Sequence, residues 1–320
     1  MTVTVLCGGV GAARFLRGLI RVMPPQDIVA IVNTGDDTEM HGLTICPDLD
    51  TITYTLAEAT DLERGWGLAD ESWTALKALD RFTAVRPTNS TAAGTWFGLG
   101  DQDLATHMYR THRLREGATL TQVANEIARA WDLDLTMLPM SDDPVRTMVT
   151  VEELGEISFQ EYFVRHRHSV PVTSLRFAGA DAATVPPAVL HAIESADTVV
   201  IAPSNPLVSI GPLRALPSLE RALRNRRDDV VAISPIVGGK ALKGPADRLL
   251  VEMGFRSNQA SIATLYREVA GTLLIDTVDA EEAAAVAAVG VRPVVTDTVM
   301  SDIAKAEHVA RCVLAEGATE

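Results

Sequence analysis

A pattern recurs along this chain that few folds satisfy. Short apolar runs rich in β-branched residues, at 2–7, 27–32, 198–202, 230–234, 272–275 and 291–295, are followed by turns of glycine, proline or acidic residues. Most of those turns lead into a helical stretch. Runs this short and this apolar read as strands buried on both faces. Strands alternating with helices specify an α/β fold, a Rossmann-like parallel sheet with helices on both faces. At 320 residues the chain can bury the core of one large domain, and 1–320 reads as a single Rossmann-like domain. One segment breaks the pattern. Residues 53–134 are strand-poor, with helices expected at 54–59, 70–81, 102–113 and 120–131, and read as a mostly helical insertion covering one side of a crevice. Within it, 84–95 is a flexible loop by composition, a lid or a plain surface loop. Beyond it, strands return at 135–138 and 145–151, separated by the acidic turn Met140-Ser141-Asp142-Asp143.

Ligands of open parallel sheets bind at the carboxyl ends of the strands, where successive loops form a crevice. After the first run, Gly8-Gly9-Val10-Gly11-Ala12-Ala13-Arg14 turns directly into a helix. Glycines there let backbone amides approach a phosphate, and the helix N-terminus adds favourable partial charge. Gly9 and Gly11 are therefore candidates for diphosphate binding, with a purely structural tight turn as the alternative. The turn lacks the GK[ST] ending of a nucleotide-hydrolysing P-loop. Asn33 also stands where a dinucleotide fold needs an acid for the ribose, which argues against a nicotinamide enzyme.

After the second run come Asn33-Thr34-Gly35-Asp36-Asp37 and His41-Gly42-Leu43-Thr44-Ile45-Cys46-Pro47-Asp48-Leu49-Asp50-Thr51, with four aspartates within fifteen positions. Asp48-Leu49-Asp50 points two carboxylates the same way if locally extended. Such a pair can hold Mg²⁺ or orient a hydroxyl nucleophile. The alternative is that Asp36 and Asp37 are turn residues and that Asp48 and Asp50 cap the following helix.

Three further stretches carry chemistry. Trp96-Phe97-Gly98-Leu99-Gly100 precedes a helix, and its aromatics either stack on a flat ring or anchor the loop to the core. His107 and His112, five apart, are too far round a helix for a paired metal site. Pro203-Ser204-Asn205-Pro206-Leu207-Val208-Ser209 combines two shape-fixing prolines with Ser204, Asn205 and Ser209 as short hydrogen-bonding groups, as a phosphate or sugar site needs. The chain has only four lysines, and Lys240 and Lys243 lie together beside Gly238-Gly239. Lys240 is the expected diphosphate partner.

A net charge of −14 argues against nucleic acid or anionic lipid as partners. No apolar run reaches the length of a membrane span, and the chain opens on a strand without a basic leader. Cys7, Cys46 and Cys312 are scattered and odd in number, signalling neither a disulfide framework nor zinc. A cytoplasmic enzyme or regulator is expected. Arg165-His166-Arg167-His168 reads as solvated surface, with anion binding the alternative.

The motifs resemble one family, the 2-phospho-L-lactate transferases of deazaflavin coenzyme F-420 biosynthesis. The match rests on Gly8-Gly9-Val10-Gly11, Asn33-Thr34-Gly35-Asp36-Asp37, Cys46-Pro47-Asp48-Leu49-Asp50-Thr51, Gly98-Leu99-Gly100-Asp101-Gln102-Asp103-Leu104-Ala105-Thr106-His107, Met140-Ser141-Asp142-Asp143, Pro203-Ser204-Asn205-Pro206 and Ser234-Pro235-Ile236. They occur in the family's order over nearly the whole chain. The resemblance implies a Rossmann-like homodimer that moves a phosphoester moiety from a guanosine-diphosphate-linked donor to the ribityl hydroxyl of Fo, 7,8-didemethyl-8-hydroxy-5-deazariboflavin, with release of GMP. It implies Mg²⁺ near the acids, read here as held by Asp37 and Asp48, and contact of Asp50 with Fo. Asp50, Asp48 and Asp37 are thus the expected catalytic acids, Asp50 aligning or deprotonating the hydroxyl. Trp96 and Gly98 are expected at Fo, and some archaeal members carry a basic residue where Gly98 stands. The donor's acyl group is lactyl, enolpyruvyl or glyceryl, and an alanine- and arginine-rich composition leans toward the enolpyruvyl donor of actinobacteria. A related family of nucleotide-sugar-binding regulators shares the glycine turn and the Pro-Ser-Asn loop, but matches Asp48-Leu49-Asp50 and the Met140 turn less well.

Overall fold

A computed structural model describes residues 1–317. Seven strands, β1 (Val3–Cys7), β2 (Ile28–Val32), β3 (Thr136–Pro139), β4 (Thr198–Ile201), β5 (Val230–Ile233), β6 (Thr272–Asp276) and β7 (Arg292–Thr296), pair in the order β7-β6-β5-β4-β1-β2-β3. Every pairing is parallel. This is the Rossmann-like sheet expected from the apolar runs. Successive residues of a strand face opposite sides, so β1 sends Val3, Val5 and Cys7 into one core and Leu6 into the other. The first core is closed by helix α1 (Gly9–Val22), helix α2 (Pro47–Leu56) and the C-terminal helix Ile303–Gly317. The second is closed by helices Pro187–Ser195, Pro217–Asn225 and Gln259–Tyr266. Among the described residues, no helix is long and apolar enough to cross a membrane.

The structure departs from the sequence reading in several places. Residues 145–151 do not join the main sheet. Arg146–Val151 is the middle strand of a separate antiparallel sheet between Gly155–Ser158 and Val172–Ala178. After β4 the chain forms two helices, Gly211–Arg214 and Pro217–Asn225, because Pro217 has no N–H to continue the first helix and starts a new one at its N-terminus. Ile236–Val237 and Lys240–Ala241 form a small hairpin. Asp48 and Asp50 lie in the first turn of α2, not in an extended segment. A helix rotates side chains about 100° per residue, so the two carboxylates diverge instead of pointing together.

Between α2 and β3 the chain carries helices Thr74–Asp80, α4 (Asp103–Arg115) and α5 (Leu120–Ala130), with an isolated bridge between Thr60 and Leu68. Here α3 denotes Thr74–Asp80. Thr119 begins α5 with a full capping box, its hydroxyl accepting from Gln122 N–H while the Gln122 side chain accepts from Thr119 N–H.

Candidate active site

The sheet order reverses between β1 and β4, and the loops leaving these two strands meet. Ser204 Oγ donates to the Gly8 carbonyl at 2.7 Å and accepts from Gly8 N–H at 3.2 Å. The close approach explains two of the glycines. A side chain on Gly11 would start 2.2 Å from the Pro203 carbonyl oxygen, and one on Gly8 2.6 Å from Ser209 Cβ. Gly9, with φ of 68°, takes the left-handed conformation that glycine adopts without strain. Above this junction opens a cleft of about 770 Å³, of the size that holds a small-molecule ligand.

Asp48 is fixed from two sides. Gly9 N–H donates to its Oδ1 at 2.8 Å, and Asn33 Nδ2 donates to its Oδ2 at 2.9 Å. Asn33, at the end of β2, thus holds a carboxylate where a dinucleotide fold would place one. The first-turn amides of Val10 and Gly11 have no acceptor within α1 and remain for an anion. Burial pushes the Asp48 carboxyl up to about 6, against the lowering effect of Asn33 and Gly9. Burial, then the charges of Asp48 and Asp37, raise Asp36 well above the ordinary carboxylate range. Asp36 and Asp48 line the cleft, whereas Asp37 does not. Asp37 is buried beside Cys46, under the charges of Arg146 and Arg110, and burial pushes it up to about 7. Among the described residues, one oxygen each of Asp36 and Asp37 is buried without a hydrogen-bond partner.

Asp50 belongs to a second buried network. Both its oxygens accept from Arg110, one through Nη2 and the other through Nη1 at 3.1 Å. His107 Nδ1 lies 3.7 Å from Asp50, and its Nε2 lies 3.1 Å from Asp103. Tyr54 donates to Asp103 at 2.6 Å. Burial works against the charge of Asp103, but His107 and Tyr54 outweigh it and hold the carboxyl below its ordinary value. Burial likewise opposes the charge of Arg110, and Asp50 overcomes it. Sequence reasoning missed Arg110 and Asp103 and set His107 aside. The signal was their spacing: positions 103, 107 and 110 recur at i, i+4 and i+7, one face of a helix.

Of the expected diphosphate ligands, Ser204, Asn205 and Ser209 all line the cleft. Ser204 is committed to Gly8, and Asn205 Oδ1 accepts from Leu207 N–H at 3.0 Å to shape the loop. That leaves the Asn205 amide and the Ser209 hydroxyl facing the cleft. Lys240 sits exposed on its hairpin, outside the cleft lining. Lys243 and Arg14 line the cleft instead. Lys243 is lowered by burial and by the charge of Arg14, which places the two cations together, and among the described residues neither is paired with an acid. Trp96 and Gly98 line the cleft. Trp96 and Phe97 also pack on Met40, Ile45 and Leu99, which anchors the loop to a small apolar cluster. Outside the cleft, Arg165 is exposed and pairs with Glu161 at 2.7 Å.

Two carboxylate groups merit a test as metal sites. Asp50, Asp103 and His107 present atoms within 4.8 Å of one another, a possible metal-binding triad. A cation there would compete with Arg110, whose Nη1 lies 3.2 Å from His107 Nδ1, and a nitrogen ligand does not suit Mg²⁺. Asp36 and Asp48 fit an oxygen-binding cation better. They face the cleft, the charge of Asp48 adds to burial in raising the proton affinity of Asp36, and one Asp36 oxygen is buried without a hydrogen-bond partner among the described residues.

Residues 3–314 match the family model described as 2-phospho-L-lactate transferase CofD. The chain belongs to that family. Members of the 2-phospho-L-lactate transferase family are transferases, and the similarity to curated proteins runs end to end. The chain is 43% identical over 317 residues to a phosphoenolpyruvate transferase of Streptomyces griseus, covering 97% of this chain and 96% of the other. It is 42% identical over 290 residues to a phosphoenolpyruvate transferase of Mycolicibacterium smegmatis, covering 86% of each. Among solved structures, a UPF0052 family member from Bacillus halodurans superposes with a TM-score of 0.61 at 16% identity, over 98% of both chains. At that identity the likeness concerns the fold.

Proposed function

We propose that the chain, as a cytoplasmic homodimer, transfers a phosphoenolpyruvyl moiety from an enolpyruvyl-diphospho-guanosine donor to the ribityl hydroxyl of Fo and releases GMP. The hydroxyl oxygen attacks the phosphorus bearing the enolpyruvyl ester, the bond from that phosphorus to the bridging oxygen breaks with that oxygen leaving on GMP, and the hydroxyl proton is released to water. Such chemistry needs charge neutralisation and an in-line nucleophile, with little covalent help from the protein. The observation that carries the reading is the pair Asp36 and Asp48, buried in the cleft at the N-terminus of α1. Two carboxylates there would repel a diphosphate unless a cation lay between them. Mg²⁺ held by Asp36 and Asp48 would supply that neutralisation. The amides of Val10 and Gly11, the Ser209 hydroxyl, Arg14 and Lys243 would bind the remaining phosphate oxygens. Asp50, anchored by Arg110, would accept a hydrogen bond from the acceptor hydroxyl and align it. The names of the relatives favour the enolpyruvyl group.

The test is a donor panel. With Fo and Mg²⁺, GMP release is expected from the enolpyruvyl donor faster than from its lactyl or glyceryl counterparts. Absence of GMP from all three would overturn the reading, and preference for the lactyl donor would overturn the acyl assignment alone.

A further inference from the structure

Residues 60–68 form a loop that closes on itself around one tryptophan. The Asp61 carbonyl accepts from Gly65 N–H at 2.8 Å, and Asp61 N–H donates to the Gly67 carbonyl at 3.0 Å. Asp61 Oδ1 accepts from the N–H groups of Glu63 and Arg64 at 2.9 and 2.8 Å. Arg64 pairs with Asp61 at 2.9 Å and donates to the Leu68 carbonyl at 2.6 Å. Trp66 stands between Gly65 and Gly67, both in the left-handed region with φ of 71° and 70°. The Arg64 guanidinium lies 5.6 Å from the Trp66 ring and 5.4 Å from the Trp73 ring, and the two rings meet edge-on at 6.0 Å. Trp66 is nevertheless 46% exposed, and it lines the cleft. A side chain on Gly98 would start 2.8 Å from Trp66.

A large apolar ring held this firmly and left half in water costs stability unless something covers it. We infer that Trp66 is the stacking platform for the planar ring of the acceptor, and that position 98 is glycine because the Trp66 ring occupies the space a side chain would need. This rests on the acceptor reading above. Fixing the ring before binding removes the ordering cost of the contact. The loop belongs to the same inserted segment as Asp103, His107 and Arg110, which hold Asp50 toward the acceptor hydroxyl, whereas the glycine turn and the Ser204 loop come from the sheet. The platform is therefore assigned to the acceptor and not to the guanine of the donor.

The experiment titrates Fo by visible absorbance and GDP by calorimetry in the parent and in Trp66→Leu, Trp66→Phe and Gly98→Ala. Parent protein should bind Fo with a red-shifted, weakened absorption band. Trp66→Leu should bind Fo about tenfold or more weakly and lose the band shift, and Trp66→Phe should recover part of both. Gly98→Ala should fall between, since the position does not need a positive φ and only the ring is displaced. GDP affinity should stay at the parental value throughout. Parental Fo affinity in Trp66→Leu overturns the inference, as does an equal loss of Fo and GDP, which would mark a structural or guanine-binding role. A parent protein that binds GDP but not Fo overturns the acceptor reading itself, and the inference with it.

Discussion

Asp50 and Arg110 form an ion pair in which each charge is buried at about one-twentieth exposure or less. Such a pair contributes little net stability relative to an apolar one, but removing one partner leaves an uncompensated buried charge. Arg110→Ala is expected to lower the unfolding free energy by roughly 3–5 kcal/mol in urea denaturation. The double variant Asp50→Ala/Arg110→Ala should recover part of that loss, and an Arg110→Ala variant as stable as the parent would contradict the buried pair. At the cleft, Lys243→Ala should weaken GDP binding by roughly 1.5–3 kcal/mol, read by calorimetry, whereas Lys240→Ala should leave it unchanged. The two lysines are three positions apart and equivalent by local sequence. Which of them faces the ligand depends on the turn at 242–245, which no periodicity signals.

At the scale of elements, two glycines of α1 make the site's support legible. Gly11 abuts the Pro203 carbonyl, and a side chain on Gly18 would start 2.4 Å from the backbone of Ala306 in the C-terminal helix. Both positions require a backbone-to-backbone approach. Gly11→Ala and Gly18→Ala should each destabilise by roughly 1–3 kcal/mol through overpacking. Only Gly11→Ala should also weaken GDP binding, because it separates the α1 amides from the Ser204 loop. Equal GDP affinity in the two variants would disconnect that junction from the ligand. The glycine turn, the strand before it and the helix after it were readable from residue type alone. The direction of Asp48 and Asp50 was not, because Pro47 starts a helix where alternation suggested an extended pair.

For the molecule as a whole, the buried carboxylates set a pH dependence. Burial pushes Asp48 up to about 6 and Asp37 up to about 7, while unfolded aspartates titrate near ~3.9. Between these values the folded chain binds more protons than the unfolded one, so stability falls as pH rises through that window. In metal-free buffer the melting temperature is expected to be higher at about pH 6 than at about pH 8, and Mg²⁺ should raise it more at the higher pH, where the carboxylates are bare. A melting temperature that climbs over the same interval without metal would contradict the raised values. The parallel sheet and its glycine turn were legible without coordinates, because strand burial and tight turns are written in local residue type and spacing. Packing decided the rest. Arg110 meets Asp50 across sixty positions, Lys243 displaces Lys240, Asp36 takes the cleft from Asp37, and Trp66 fills the space beside Gly98. Each of these depends on contacts between segments remote in the chain, which leave no local trace in composition or period.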